Sequence, residues 1–224
     1  MHKANLEIIK TKIQEAKQAS PSKDDITLVA VVKNRTNDEI NSIIKAGATE
    51  IAENRVQALR DRGEDILPAK RHIIGHLQTN KAKLAVSLAD MIQSIDSIHL
   101  LKEVGKAASS LNKNIEVLFQ INIANEATKF GAPKKKLNEL IQTAGKIPNI
   151  TVRGLMAIMP IETKLLYYKE MYEIFLDNRE KIMHNIYNDN IHMDFLSMGM
   201  SGDFLQAISC GANMVRLGHC LFEI

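Results

Sequence analysis

Short, unbroken apolar runs alternate along this chain with longer stretches whose apolar residues recur every three or four positions. Leu6, Ile9, Ile13 and Ala16 give the opening stretch helical spacing. Ile26 to Val32 is a continuous, mostly β-branched run that ends on Lys33, the pattern of a strand buried on both faces. Thr36 then caps a helix with Asp38 and Glu39 in its first turn, and Gly47 stops it. Further strands are expected over Thr49–Glu53, His72–Gly75, Met91–Ile95, Ile115–Asn122, Val152–Ala157, Met193–Ser197 and Asn213–Leu217. Between them, Asp96 and Ser97 open one helix, and Pro133 suits the first turn of another that runs to about Lys146. A long helix carries a stripe of Met and Tyr residues between Met171 and Tyr187, and a later helix begins near Ser201 and ends at Gly211. Roughly eight β-α units result, which favours a closed (β/α)8 barrel of the TIM type over a doubly wound sheet.

Composition adds exclusions. The chain has 224 residues with no low-complexity segment or break in composition, so residues 1–224 are expected to form one domain. Net charge is +3 and aromatic content 4%, a poor basis for a nucleic-acid surface or a base-stacking platform. No apolar stretch reaches membrane-spanning length, and the start of the chain has no signal-peptide pattern. Cys210 and Cys220 have neither metal-ligand spacing nor the look of a disulfide framework, which fits a reducing, cytoplasmic setting.

The chemistry gathers at strand ends. A lysine at the carboxyl end of a parallel strand sits where α/β barrels place their reacting groups. Near other cations and partly desolvated, such an amine can lose its proton and form a Schiff base. On its own Lys33 reads better as a lysine at a strand end reaching out to water. In a closed barrel, however, the first and last strands are neighbours, so Lys33 and Arg216 should share one mouth. The loop Met198-Gly199-Met200-Ser201-Gly202-Asp203 and the segment beginning Gly218-His219 lie where these barrels hold phosphate. Glycines there let the backbone approach, and Ser201 adds a hydroxyl. A reactive lysine beside a phosphate cup calls for a phosphorylated carbonyl compound, either pyridoxal 5'-phosphate (PLP) or a sugar phosphate. Arg216 leans toward PLP, whose ring nitrogen takes an Asp or an Arg as partner.

These residues also carry a resemblance. Leu28-Val29-Ala30-Val31-Val32-Lys33, Glu53-Asn54-Arg55-Val56-Gln57, His72-Ile73-Ile74-Gly75-His76-Leu77-Gln78-Thr79-Asn80-Lys81, Ser94-Ile95-Asp96-Ser97, Gly154-Leu155-Met156-Ala157, Leu196-Ser197-Met198-Gly199-Met200-Ser201-Gly202-Asp203 and Met214-Val215-Arg216-Leu217-Gly218 occur in the order of the pyridoxal-phosphate homeostasis proteins. The chain resembles that family over nearly its whole length. The resemblance implies a barrel like the N-terminal domain of alanine racemase, with PLP as a Schiff base on Lys33. It places Asn54 near the cofactor, Ser201, Gly202 and Gly218 on the phosphate, and Arg216 beside the pyridine nitrogen. It further implies a role in balancing intracellular PLP with little catalysis of its own, apo PLP-dependent enzymes as partners, and a monomer, sometimes a dimer. Three departures bear on phosphate affinity: Val32 where the family has Ser or another small residue, His219 where a Thr is common, and an end at Phe222-Glu223-Ile224.

Other features read as structural. His72 and His76 straddle a strand end with no acidic third ligand, which disfavours a metal site. Lys134-Lys135-Lys136 looks like the solvated start of a helix. Lys81 and Lys129 lie near loops, where a second anion site is conceivable. Two other functions compete: a PLP-dependent amino-acid racemase, which would require a second base opposite Lys33, and a Schiff-base aldolase acting on a sugar phosphate without cofactor.

Overall fold

The computed structural model describes residues 2–160, 165–184 and 186–223; Met1 and Ile224, which the sequence reading touches, lie outside the described residues. The strands are β1 (Thr27–Val31), β2 (Glu50–Glu53), β3 (Lys70–Ile73), β4 (Met91–Ile95), β5 (Ile115–Ile121), β6 (Ile150–Ala157), β7 (Ile191–Ser197) and β8 (Met214–Leu217). They form a closed barrel in chain order, all parallel, with β1 paired to β8. The helices are α1 (His2–Gln18), α2 (Asn37–Lys45), α3 (Val56–Asp61), α4 (Ala82–Leu88), α5 (Ile98–Ser110), α6 (Leu137–Ala144), α7 (Leu165–Met183), α8 (Phe204–Ser209) and α9 (His219–Phe222).

The strands are buried on both faces, as their unbroken apolar runs demand. Val29, Val31, Ala52, Ile74, Met91, Leu118, Met156 and Met214 fill the barrel interior. Alternate residues face the helices: Ala30, Val32, Ile51, Val215 and Leu217 pack there with α1 and α2 side chains. The two-residue strand period thus puts Val29, Val31 and Lys33 on one face, and Met214 and Arg216 on another that meets it. At the α2 start Thr36 is the expected cap, and with Glu39 it forms a capping box.

Three expectations need adjusting. β3 starts two residues before the expected strand, because Lys70 and Arg71 pair with β2 although they are charged. Lys70 is kept at the barrel floor by Glu116, 2.6 Å away, and Arg153 joins Glu116 to Asp194. The buried stripe of α7 is Tyr168, Met171, Phe175 and Asn178; Met183 is exposed, and Tyr187 lies beyond the helix with its hydroxyl on Asn178. The helix placed near Ser201 starts at Phe204, because the Asp203 carboxylate accepts from the Met200 N–H at 2.5 Å and ties the preceding residues into a turn.

Candidate functional site

Lys33 leaves β1 at the barrel mouth on a turn that the next element fixes from below. Asn34 takes the left-handed conformation, with φ of 61°. Arg62 donates to the carbonyl oxygens of Val32 (2.7 Å) and Arg35 (2.9 Å), on either side of that turn. The buried Glu53 pairs with Arg62, so the end of β2 anchors the loop that carries the lysine. The lysine itself is exposed, whereas the sequence reading expected partial desolvation.

A cavity of about 460 Å³ opens beside it, lined by Lys33, Asn54, Ser201, Gly202, Arg216 and Gly218 among others. All six residues singled out from the sequence therefore meet at one place. The sequence reading missed Val31, Ile74, Gly75, Ile158 and Met200, which also line it. Strand parity offered a signal for two of them: Val31 is two residues before Lys33, and Ile74 two after the inward-facing His72. Gly75 has a local cause, since a Cβ there would lie 2.2 Å from the Asn54 carbonyl oxygen. The lining contains two cations and a histidine and no carboxylate, so it favours an anion.

At one end, the Ser201 hydroxyl oxygen accepts from the N–H groups of Gly218 (3.2 Å) and Cys220 (3.4 Å). Its hydroxyl also lies within hydrogen-bond reach of the Cys220 thiol. A Cβ on Gly202 would meet nothing within 4 Å, so protein packing does not call for glycine there. Gly218 lies against β1, where a Cβ would come 3.2 Å from the Val31 carbonyl oxygen.

Toward the barrel interior stands Arg216, 3% exposed. It donates to the Ser197 hydroxyl at 2.7 Å and to the Ala157 carbonyl at 2.9 Å. Its other N–H groups have no protein acceptor among the described residues. Burial pushes its guanidinium down to about 10, and the charge of Asp203 partly opposes the shift. These groups fit PLP: an amine, a glycine-lined cup with a hydroxyl, and a cation that can only donate.

A profile of the alanine racemase N-terminal domain matches residues 4–224. The pyridoxal phosphate homeostasis protein of Pasteurella multocida is 31% identical over 97% of this chain and 95% of its own length. That of Buchnera aphidicola is 33% identical over 98% and 96%. The chain belongs to this family. In fold it matches PipY of Synechococcus elongatus, with a TM-score of 0.87 at 24% identity and both chains fully covered; PipY is also known with PLP bound, where the TM-score is 0.82.

The departures from the family pattern differ in reach. Val32 is wholly buried against the helices and does not line the cavity, so the doubt about phosphate affinity does not extend to it. His219 does line the cavity, with Nδ1 2.5 Å from the Glu223 carboxylate. Glu223 also pairs with Arg35, so the last described residue ties the start of α9 to the Lys33 turn. His72 is inside the barrel, whereas His76 is exposed and stacks on Phe130 at 3.8 Å; no cluster suited to a metal occurs among the described residues. Lys81 lines a neighbouring cavity with Arg55 and His76, while Lys129 is held by Glu126 at 3.1 Å. Lys134 and Lys136 pair with Glu170 and Glu139 on the surface.

Proposed function

We propose that this chain binds PLP at the barrel mouth, through Lys33, and takes part in keeping the intracellular supply of PLP in balance. The observation that carries the reading is that one cavity gathers Lys33, Arg216 and the Ser201-Gly202 and Gly218 cup. The relatives named for PLP homeostasis, matched end to end, support it. Bound PLP brings an aldehyde that an amine can capture and a ring that can draw electrons from a bound carbon. Lys33 supplies that amine from an accessible position. Ser201 donates a hydrogen bond to a phosphate oxygen, and the Gly202 backbone leaves room for the phosphate. Asn54, at the exit of β2, faces the same space from the side.

Arg216 decides how much chemistry follows. It offers N–H groups and has no lone pair, so it holds the ring nitrogen without giving it a proton. A ring left neutral withdraws electrons weakly, which points to a carrier or regulator and away from a racemase. Among the described cavity residues His219 is the other base, and it opens α9 just after β8, the neighbour of the strand that Lys33 follows, so it stands beside Lys33 and not opposite it. The same reading goes with one barrel domain over residues 1–224, a cytoplasmic setting, a monomer or a dimer, and apo PLP-dependent enzymes as partners.

Titration of the purified protein with PLP tests this. We expect saturable binding at one PLP per chain with a visible band that Lys33→Ala abolishes, and no exchange of the α-proton when L-alanine is added in deuterated water. No band at all would return the aldolase reading. Exchange at rates typical of dedicated enzymes, on the order of 1–1000 per second, would return the racemase.

A further inference from the structure

The turn that carries Ser201 and Gly202 is tied down at both ends. Its entry is joined to β8: Met198 N–H donates to the Met214 carbonyl at 3.1 Å, and Arg216 N–H to the Gly199 carbonyl at 3.0 Å. Gly199, with φ of 98°, bends the chain against α8, where a Cβ would come 2.7 Å from that of Ala207. The Met200 carbonyl then accepts from the N–H groups of Asp203 (3.0 Å) and Phe204 (2.9 Å), which makes Ser201 and Gly202 the two central residues of a tight turn. Their own N–H groups have no acceptor among the described residues.

Asp203 closes that turn. An aspartate just before a helix ordinarily caps it, with the carboxylate on an N–H two or three residues ahead. Asp203 makes no such bond to α8. Its carboxylate reaches back instead: Oδ1 accepts from Met200 N–H at 2.5 Å, and Oδ2 from the Tyr168 hydroxyl at 2.6 Å. Tyr168 is wholly buried in the first turn of α7, so the turn is fastened to a fixed point in the helix layer. Both carboxylate oxygens thus hold a donor outside the cavity, which Asp203 does not line. A helix cap given up beside a candidate site is the kind of local sacrifice that function explains.

We propose that Asp203 and Tyr168 are positioning residues, a clamp that holds Ser201 and Gly202, and with them two unpaired backbone N–H groups, in place for the phosphate of PLP. The proposal rests on the PLP reading for the name of the ligand; the clamp itself requires only that this turn recognises a phosphate group. A selective defect follows from it. With the clamp broken the turn can open, while Lys33, on another strand, can still capture an aldehyde. Damage to the clamp should therefore cost recognition of the phosphate and spare recognition of the aldehyde.

Two measurements test this. In the PLP-free protein, inorganic phosphate should shift the backbone amide NMR signals of Ser201 and Gly202 saturably, and Asp203→Ala should abolish the response. No response in the wild type overturns the proposal. A response in a protein that fails to bind PLP keeps the clamp and removes the PLP reading. The second measurement compares PLP with pyridoxal, which has the aldehyde and lacks the phosphate, by equilibrium dialysis. Asp203→Ala should bind PLP roughly ten-fold or more weakly, the scale of one hydrogen bond to a charged group, with pyridoxal unchanged. Tyr168→Phe keeps the buried ring, removes the hydroxyl and should show a smaller loss with the same selectivity. Asp203→Asn keeps an acceptor for the Met200 N–H and should recover the preference for PLP. Equal losses for the two aldehydes, an unchanged preference in Tyr168→Phe, or an Asp203→Asn protein no better than Asp203→Ala overturns the clamp and leaves the PLP reading intact.

Discussion

Lys33 was legible because it closes an unbroken apolar strand at its carboxyl end, and parity explains where it points. The run from Val29 to Lys33 alternates between interior and helix layer, so a lysine after Val32 must look into the barrel mouth. The same period exposes Val32 as a helix-facing residue and Arg216 as an interior one. Asn54, Ser201, Gly202 and Gly218 were not legible from periodicity, because they lie in loops where side-chain direction has no repeat; the place of the last two loops in a barrel pointed to Ser201, Gly202 and Gly218, and the family resemblance to Asn54. Asp203 and Tyr168 were hidden for a different reason: they come from different elements, and no spacing along the chain links an acid before α8 to a buried hydroxyl in α7. The two cavity side chains should fail differently. Ser201→Ala removes a hydrogen bond to a charged oxygen, worth about 1.5–3 kcal/mol of PLP binding, and should leave the visible band in place. Arg216→Met should move the band as well, because the ring nitrogen loses its partner. Equilibrium dialysis with spectra of the retained PLP distinguishes them; an Arg216→Met protein with the parent spectrum would remove Arg216 from the ring nitrogen.

Among the elements, the seam between β7 and β8 is the thinnest, with Ser197↔Met214 as its recorded register pair. The Asn213 side chain makes up for this. Its oxygen accepts from Leu196 N–H at 2.7 Å, and its nitrogen donates to the Asp194 carbonyl at 2.6 Å and to Asp24 at 3.1 Å. Sequence patterns marked Asn213 as the start of a strand, but the side chain stitching across the seam depends on the barrel being closed. Asn213→Ala leaves the buried Leu196 N–H without its acceptor and should lower stability by about 1–3 kcal/mol in chemical denaturation. A variant within a few tenths of wild type would show that the ladder alone holds the seam. The displaced starts of β3 and α8 have equally local causes: charges tolerated at the barrel floor, and an Asp203 carboxylate that delays the helix.

At the scale of the whole molecule, the order of eight parallel strands followed from the alternation of runs, and closure explains the rest, since it makes the first and last strands neighbours. Closure also leaves an acid-sensitive tie. Asp24, before β1, bonds Arg179 of α7 at 2.8 Å and Asn213 at 3.1 Å. The hydrogen bond from Arg179 chiefly holds its carboxyl below the ordinary value of 3.8, with burial opposing. A depressed carboxyl contributes stability that is complete above its unfolded value and is lost as pH falls through the folded one. Asp24→Asn should therefore destabilise the protein at neutral pH by about 0.2–1 kcal/mol, the range of solvent-screened pairs, and the gap should close below pH 3.8. Thermal melts across that window read it, and a gap that widens in acid would contradict the assignment.

The central claim is that PLP is held by Lys33 at the barrel mouth, and borohydride reduction of the PLP-loaded protein followed by peptide mapping tests it most directly. The account predicts the reduced label on the peptide containing Lys33. A label found mainly on Lys81, Lys129 or another surface lysine, with Lys33 unmodified, would contradict it.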